Sequence, residues 1–175
     1  WVEHFEIREA ASSAAVLKEL GTVNSSMSMI AERAAAKNHS SLLNDETLLN
    51  YLDYFRAFKT DYEANCIRYA NEIAARGHVA AQHVFREGAS EFQIHHAYCL
   101  ATEQIDSDLP YPNIVAINEH AATLHHQNLQ REIPDKIHSF LLDAGARYRG
   151  YASDVTRTYA QNEPLFEPLI GSMDT

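Results

Sequence analysis

The sequence is short of most residues that mark a specialised chain. Two cysteines, Cys66 and Cys99, occur in 175 residues, 33 positions apart and without CxxC spacing. That pattern favours free thiols over a disulfide or a ligand pair. Basic residues are scarce, with 14 Lys plus Arg against 24 Asp plus Glu and a net charge of −10. A chain so acidic is a poor match for nucleic acid or an anionic membrane, and its carboxylates are better suited to cations. No apolar run approaches the ~18 residues of a membrane span, and the first residues lack the order of a signal peptide, so a cytoplasmic setting is expected. The GxSxG elbow, the HExxH helix and the Gly-rich phosphate loop are also missing, as are internal repeats and low-complexity tracts. What is present is 46% apolar and 22% charged residues, enough for a globular core.

Alternation of Phe5 and Ile7 with Glu6 and Arg8 predicts a strand near the start, followed by a short helix through Val16, Leu17 and Leu20 that ends at Gly21. A further short strand through Met27, Met29 and Ile30 precedes an Ala-rich turn at residues 32–37. The polar stretch NHSSLLND then marks a linker, placing a domain boundary between residues 43 and 44. Beyond it, Asn44 or Asp45 caps a helix carrying Leu48, Tyr51, Leu52 and Phe55. Thr60 with Glu63, and Ser90 with Gln93, have the spacing of capping boxes, opening a long helix toward Gly88 and a third helix through Ile94, Ala97 and Leu100. From Asn113 the pattern changes to strands at residues 114–117, 140–142 and 151–159. Helices followed by antiparallel strands predict an α+β architecture.

The stretch LLDAGARYRGYASDVTRT places Asp143 and Asp154 eleven positions apart. A hairpin turning through Arg147, Tyr148, Arg149 and Gly150 has its centre between Tyr148 and Arg149, which sets the two aspartates directly opposite each other. Directly opposed carboxylates repel unless a cation, a proton or a basic side chain lies between them. One reading is a hard-metal site, since such ions prefer carboxylate oxygens. The other is neutralisation by Arg147, Arg149 or Arg157, or plain exposure to water. A one-residue bulge would separate the pair onto opposite faces.

Three segments bear on the choice: DYFRAFKTDYEANCIRYANEIAARGHVAA, YPNIVAINEHAATLH and FLLDAGARYRGYASDVTRTYA. Together they resemble successive parts of the bacterial Xaa-Pro dipeptidases (prolidases) of the pita-bread metallopeptidase family, which are close to the organophosphorus acid anhydrolases. The resemblance implies that residues 1–43 end an N-terminal α/β domain of the creatinase type and that residues 44–175 form the first half of a pita-bread catalytic domain. It implies metal-dependent hydrolysis of dipeptides with C-terminal proline through a water activated by two metal ions, usually Mn²⁺, with Co²⁺ or another divalent ion as substitutes. Asp143 would then chelate one ion and Asp154 bridge both. His125, in the LHH that stands where the family has LHY, would contact the substrate, and His126 replaces the usual tyrosine. Tyr111 of PYPN would line the pocket for the residue preceding proline. A homodimer is implied too, with neither nucleic acid nor membrane as partner.

The family's complete centre also takes a histidine and two glutamates from later in the chain. Glu163 and Glu167 lack the motifs that carry those ligands, so three of them are expected to be missing from these residues. The start at Trp1 and the helical pattern still running at residue 175 fit the same expectation, an internal fragment with little or no activity of its own. An organophosphorus-hydrolysing relative and a non-catalytic pita-bread binding module are the alternatives. His78, His83, His95, His96 and His126 read as structural or solvated, and Glu119 with His120 as a loop position near the site rather than an acid-base pair. Adjacent helical positions diverge by about 100°, so His95 and His96 are not expected to share an ion.

Overall fold

A computed structural model describes residues 44–161 continuously, together with Ala15, Ile30, Pro164, Pro168 and Ser172. The elements expected before residue 44, and Glu163 and Glu167, lie outside the described residues apart from those single positions. The chain falls into two compact units, Trp1–Phe58 and Lys59–Thr175. In the first unit, helix α1 (Glu46–Arg56) begins at Asp45, whose side chain accepts a hydrogen bond from the Leu48 amide at 2.9 Å. Of the two caps expected for this helix, the aspartate is the one used.

The second unit opens with α2 (Asp61–Arg86) and α3 (Glu91–Thr102). Both expected capping boxes form. Thr60 and Glu63 exchange side-chain and backbone bonds at the head of α2, and Ser90 and Gln93 do so at the head of α3. The chain leaves α2 through Gly88, whose φ of +82° lies where side chains are rarely tolerated. The two helices then approach closely at Gly77, where a β-carbon would sit 2.6 Å from the Tyr98 ring and 2.7 Å from the Thr102 methyl.

Strands β1 (Ile114–Ile117), β2 (Ser139–Ala144) and β5 (Val155–Ala160) form an antiparallel sheet in the order β1-β2-β5. Short strands β3 (Arg147–Tyr148) and β4 (Tyr151–Ala152) close the hairpin tip. β2 alternates cleanly, burying Phe140, Leu142 and Ala144 and turning Ser139, Leu141 and Asp143 to the other face. The buried side meets Phe85, Ile94, Tyr98, Val115 and Ile117 in one core, with the Phe85 and Phe140 rings stacked at 4.9 Å. Among the described residues no helix is long and apolar enough to cross a membrane.

The hairpin register differs from the one expected. The turn is the two-residue Arg149–Gly150, with φ of +48° and +85°, so Tyr148 pairs with Tyr151 and Asp143 with Thr156 rather than Asp154. Positive φ at both central residues is the tight-turn geometry that matches the twist of the strands, and it moves the hairpin centre toward Gly150. The expected continuous strand over 151–159 is also interrupted, since Ser153 and Asp154 belong to neither β4 nor β5.

Candidate functional site

The interruption has a specific construction. Ser153 donates its backbone N–H to the Ala146 carbonyl at 2.9 Å, and its hydroxyl accepts the Ala146 N–H at 2.9 Å while donating to the Ala70 carbonyl of α2 at 3.1 Å. One buried hydroxyl thereby replaces a rung of the ladder and ties the hairpin to the helix behind it. Gly145 lies under this bond. A β-carbon there would fall 2.0 Å from the Ser153 carbonyl oxygen, 2.9 Å from Pro110 and 3.0 Å from the Tyr111 ring. The glycine of DAG thus lets the segment 110–111 close over the hairpin.

That segment is docked by Gln104, whose side-chain amide bonds both backbone groups of Arg147, at 3.0 Å to the N–H and 2.7 Å to the carbonyl. The Arg147 guanidinium donates to the Leu109 carbonyl at 3.2 Å. Held this way, the Tyr111 hydroxyl lies 2.9 Å from Asp143 Oδ1 and 2.9 Å from Asp154 Oδ1. The two carboxylate oxygens can therefore be no further apart than twice that distance. Burial, then the bonds to the two carboxylates, push the Tyr111 hydroxyl well above the usual tyrosine range, so it keeps its proton. That single proton reaches only one carboxylate at a time.

The arginines expected as alternatives do not neutralise the pair. Arg147 is engaged at Leu109, Arg149 lies over the Tyr148 ring at 5.5 Å, and Arg157 donates to the Thr156 carbonyl at 2.7 Å. Two acids meeting at one hydroxyl, with no basic side chain paired to them among the described residues, offer the hard oxygen donors that divalent cations prefer. Among the described residues, neither aspartate belongs to a cluster of three or more metal-ligating side chains. The donor chemistry fits a divalent metal, for which two carboxylates would supply part of a coordination shell.

His125 is placed differently. It is exposed, with a φ of +53°, and among the described residues no hydrogen bond or ion pair joins it to the aspartates. Its neighbour His126 turns inward to Glu91, a side chain that had no distinguishing mark in the sequence beyond its place after the Ser90 cap. Glu91 is 1% exposed. Its Oε1 accepts from the Ile117 N–H at 2.9 Å and His120 Nδ1 at 2.7 Å, and its Oε2 from the Gln130 N–H at 2.9 Å and His126 Nε2 at 3.1 Å. Burial pushes the Glu91 carboxyl up, but these four bonds outweigh it and hold the group below its ordinary value. The segment between β1 and β2 that carries His125 is thus pinned to the head of α3. Asn118 pins its other end just ahead of β2, donating to the Lys136 carbonyl and accepting from the His138 N–H, both at 2.7 Å.

His78 has the structural role expected of it. Its Nε2–H donates to the Ala144 carbonyl at 3.1 Å, and burial holds its pKa below the usual histidine range.

Comparison with known proteins yields a consistent set of relatives. The model of metallopeptidase family M24 matches residues 65–168. The Xaa-Pro dipeptidase of Shewanella woodyi is 45% identical over 176 residues, covering 99% of this chain and 40% of the relative. That of Proteus mirabilis is 50% identical over 133 residues, covering 75% of this chain and 30% of the relative. This chain therefore spans less than half the length of the curated relatives it matches. Among solved structures, proline aminopeptidase P II from Yersinia pestis superposes with a TM-score of 0.59 at 31% identity, covering 73% of this chain and 29% of that one. Zn-substituted aminopeptidase P from Escherichia coli in complex with product gives 0.55 at 32% identity, covering 61% and 24%.

Proposed function

The chain belongs to metallopeptidase family M24, whose model matches more than half of it, and on that premise we propose that it is part of an Xaa-Pro dipeptidase, a proline dipeptidase of the pita-bread fold. The observation that carries the reading is the meeting of Asp143 and Asp154 at the Tyr111 hydroxyl, 2.9 Å from each. Identity of 45% to a named Xaa-Pro dipeptidase, against 32% to aminopeptidase P, favours a dipeptide with C-terminal proline as substrate.

In this reading Asp143 and Asp154 would hold divalent ions, which when bound supply Lewis-acid polarisation of the scissile carbonyl and activate water for hydrolysis. The protein's own contribution is positional. Gly145 and Ser153 set the hairpin break that aims both carboxylates at one point, and Tyr111 lines the pocket for the residue preceding proline with its hydroxyl protonated. His125 contacts substrate from the segment that Glu91 fixes through His126. Two Mn²⁺ per complete site, a homodimer and a cytoplasmic setting complete the reading on the strength of the family resemblance. So does the need for a histidine and two glutamates that Glu163 and Glu167 do not replace.

The test combines Mn²⁺ binding with Gly-Pro hydrolysis by the 175-residue chain. Weak Mn²⁺ binding is expected, because two carboxylates leave most of the ion's shell to water, and Asp143→Asn or Asp154→Asn should abolish it. Turnover of Gly-Pro should be negligible. Robust turnover would show that these residues already hold a complete centre, and Mn²⁺ binding indifferent to both substitutions would remove the site.

A further inference from the structure

A second group of metal-ligating side chains lies apart from the aspartates. His95 and Cys99 are one helical turn apart on α3, which puts them on one face, and the loop after the helix brings Asp106 back over them. His95 Nε2 is 2.8 Å from Asp106 Oδ1 and 3.6 Å from Cys99 Sγ. All three donor atoms fall within 4.8 Å of one another.

The other side of the imidazole faces Asn113. His95 Nδ1 faces the Asn113 side-chain nitrogen at 3.4 Å, while Asn113 Oδ1 is buried with no hydrogen-bond partner. Asn113 is only 4% exposed, so an unpaired amide oxygen there is costly. The oxygen and nitrogen of a side-chain amide exchange places by a half-turn. Turned over, Asn113 Oδ1 accepts a hydrogen bond from Nδ1–H, and the amide nitrogen takes the oxygen's former place. With the proton fixed on Nδ1, the lone pair of Nε2 points at the thiol and the carboxylate. Lone pair against carboxylate is repulsive, and a cation seated between them makes the same contact attractive.

We propose that His95, Cys99 and Asp106 bind a divalent cation of borderline softness, best matched by Zn²⁺, with Asn113 orienting the imidazole from behind. One nitrogen, one sulfur and one oxygen donor are the mixture such an ion takes. In a tetrahedral zinc site, bonds of about 2.1 Å to nitrogen and 2.3 Å to sulfur put those two atoms roughly 3.6 Å apart. That is the spacing already present between His95 and Cys99. Asp106 has to withdraw by roughly 0.6 Å to reach the corresponding nitrogen–oxygen edge, and its side chain, 83% exposed, has room to do so. Water on that open side takes the fourth position.

A cysteine nucleophile activated by histidine is the rival for the same three residues. Burial, then the charge of Asp106, push the Cys99 thiol up to about 11, so no thiolate stands ready at neutral pH. The second rival is a plain His95–Asp106 ion pair, which predicts no metal affinity.

Titration of the metal-free chain with Co²⁺ separates these outcomes, because thiolate coordination produces a charge-transfer band that carboxylate coordination does not. One equivalent of Co²⁺ should raise the band, Zn²⁺ should displace it, and Cys99→Ser should remove it. Asp143→Asn should leave the band intact, so the result is independent of the dipeptidase reading. Asn113→Leu should weaken Zn²⁺ affinity 10- to 100-fold, the usual consequence of removing the partner that orients a ligating histidine. In the unmodified chain, Zn²⁺ should slow alkylation of Cys99 at least tenfold, a readout that needs no variant to fold. Absence of the band, its persistence in Cys99→Ser, or alkylation unaffected by Zn²⁺ would each overturn the assignment.

Discussion

Replacing Glu91 with glutamine tests whether the segment between β1 and β2 is held by charge or only by shape. The substitution keeps the size of the side chain and changes one carboxylate oxygen into an NH₂ group. Whichever oxygen is lost, the new amide faces one backbone N–H, from Ile117 or Gln130, and one imidazole, from His120 or His126. The imidazole can shift its proton to the other ring nitrogen and accept instead. The backbone N–H cannot, and leaving it buried and unpaired costs about 1–3 kcal/mol. The two donors on the surviving oxygen also lose a charged acceptor, which weakens each bond by roughly 1 kcal/mol. Glu91 is 1% exposed, so water screens little of this and the expected loss is about 3–5 kcal/mol. With a urea m-value of about 1–3 kcal/mol/M, the unfolding midpoint followed by far-UV circular dichroism should fall by on the order of 2 M. The pH dependence supplies a second check. Because the folded-state pKa of Glu91 lies below its ordinary 4.5, its contribution is fully present above pH 4.5 and is lost as pH falls through the folded value. The gap between the natural chain and Glu91→Gln should be constant above about pH 5 and close below 4.5. A variant within about 0.5 kcal/mol of the natural chain at neutral pH, or a gap that widens in acid, would refute the account.

Gly145→Ala places a methyl group 2.0 Å from the Ser153 carbonyl oxygen, so the hairpin must open. A loss of about 2 kcal/mol or more is expected, with faster hydrogen exchange at the Ala146 and Ser153 amides. Gly77→Ala drives a methyl into the Tyr98 ring and the Thr102 methyl. Separation of α2 from α3 should cost about 1–3 kcal/mol in thermal or urea unfolding, even though alanine is the better helix former. Ser153→Ala leaves the Ala146 N–H without its acceptor and the Ala70 carbonyl without a donor. It should destabilise by about 1–3 kcal/mol, and Mn²⁺ binding at Asp143 and Asp154 should weaken with it.

What was legible in the sequence was local. The heads of α2 and α3 depend on bonds between residues three apart, so Thr60 with Glu63 and Ser90 with Gln93 declared themselves before any fold was known. The strand expected at residues 140–142 did so as well, as the middle of β2. Glu91 could not be recognised this way. It reads as an ordinary first-turn acid of α3, and its partners Ile117, His120, His126 and Gln130 arrive from 26 to 39 positions away. His126 was expected to be structural or solvated and His120 to sit in a loop near the site, but the anion they bind was not foreseen. The turn was missed for another reason: Arg149 adopts positive φ, a conformation that only glycine and a few polar residues advertise.

The misplaced turn nevertheless left the pair of aspartates on one side of the ribbon. A slip of one residue sends a side chain to the opposite face, whereas a slip of two returns it to the same face one rung along. Asp143 pairs with Thr156, so Asp154 is its diagonal neighbour. Directly opposed positions have Cα atoms about 4.5–5.5 Å apart, while diagonal ones are about 7–8 Å apart. The wider spacing suits two acids that share a third body better than two acids in contact. In this structure the third body is the Tyr111 hydroxyl, 2.9 Å from each carboxylate. The same gap suits a pair of ions about 3.5–4 Å apart, for which directly opposed carboxylates would leave little room. The observed register therefore favours a shared cation site more than the expected one did, and the break at Gly145 and Ser153 is what makes the diagonal approach possible.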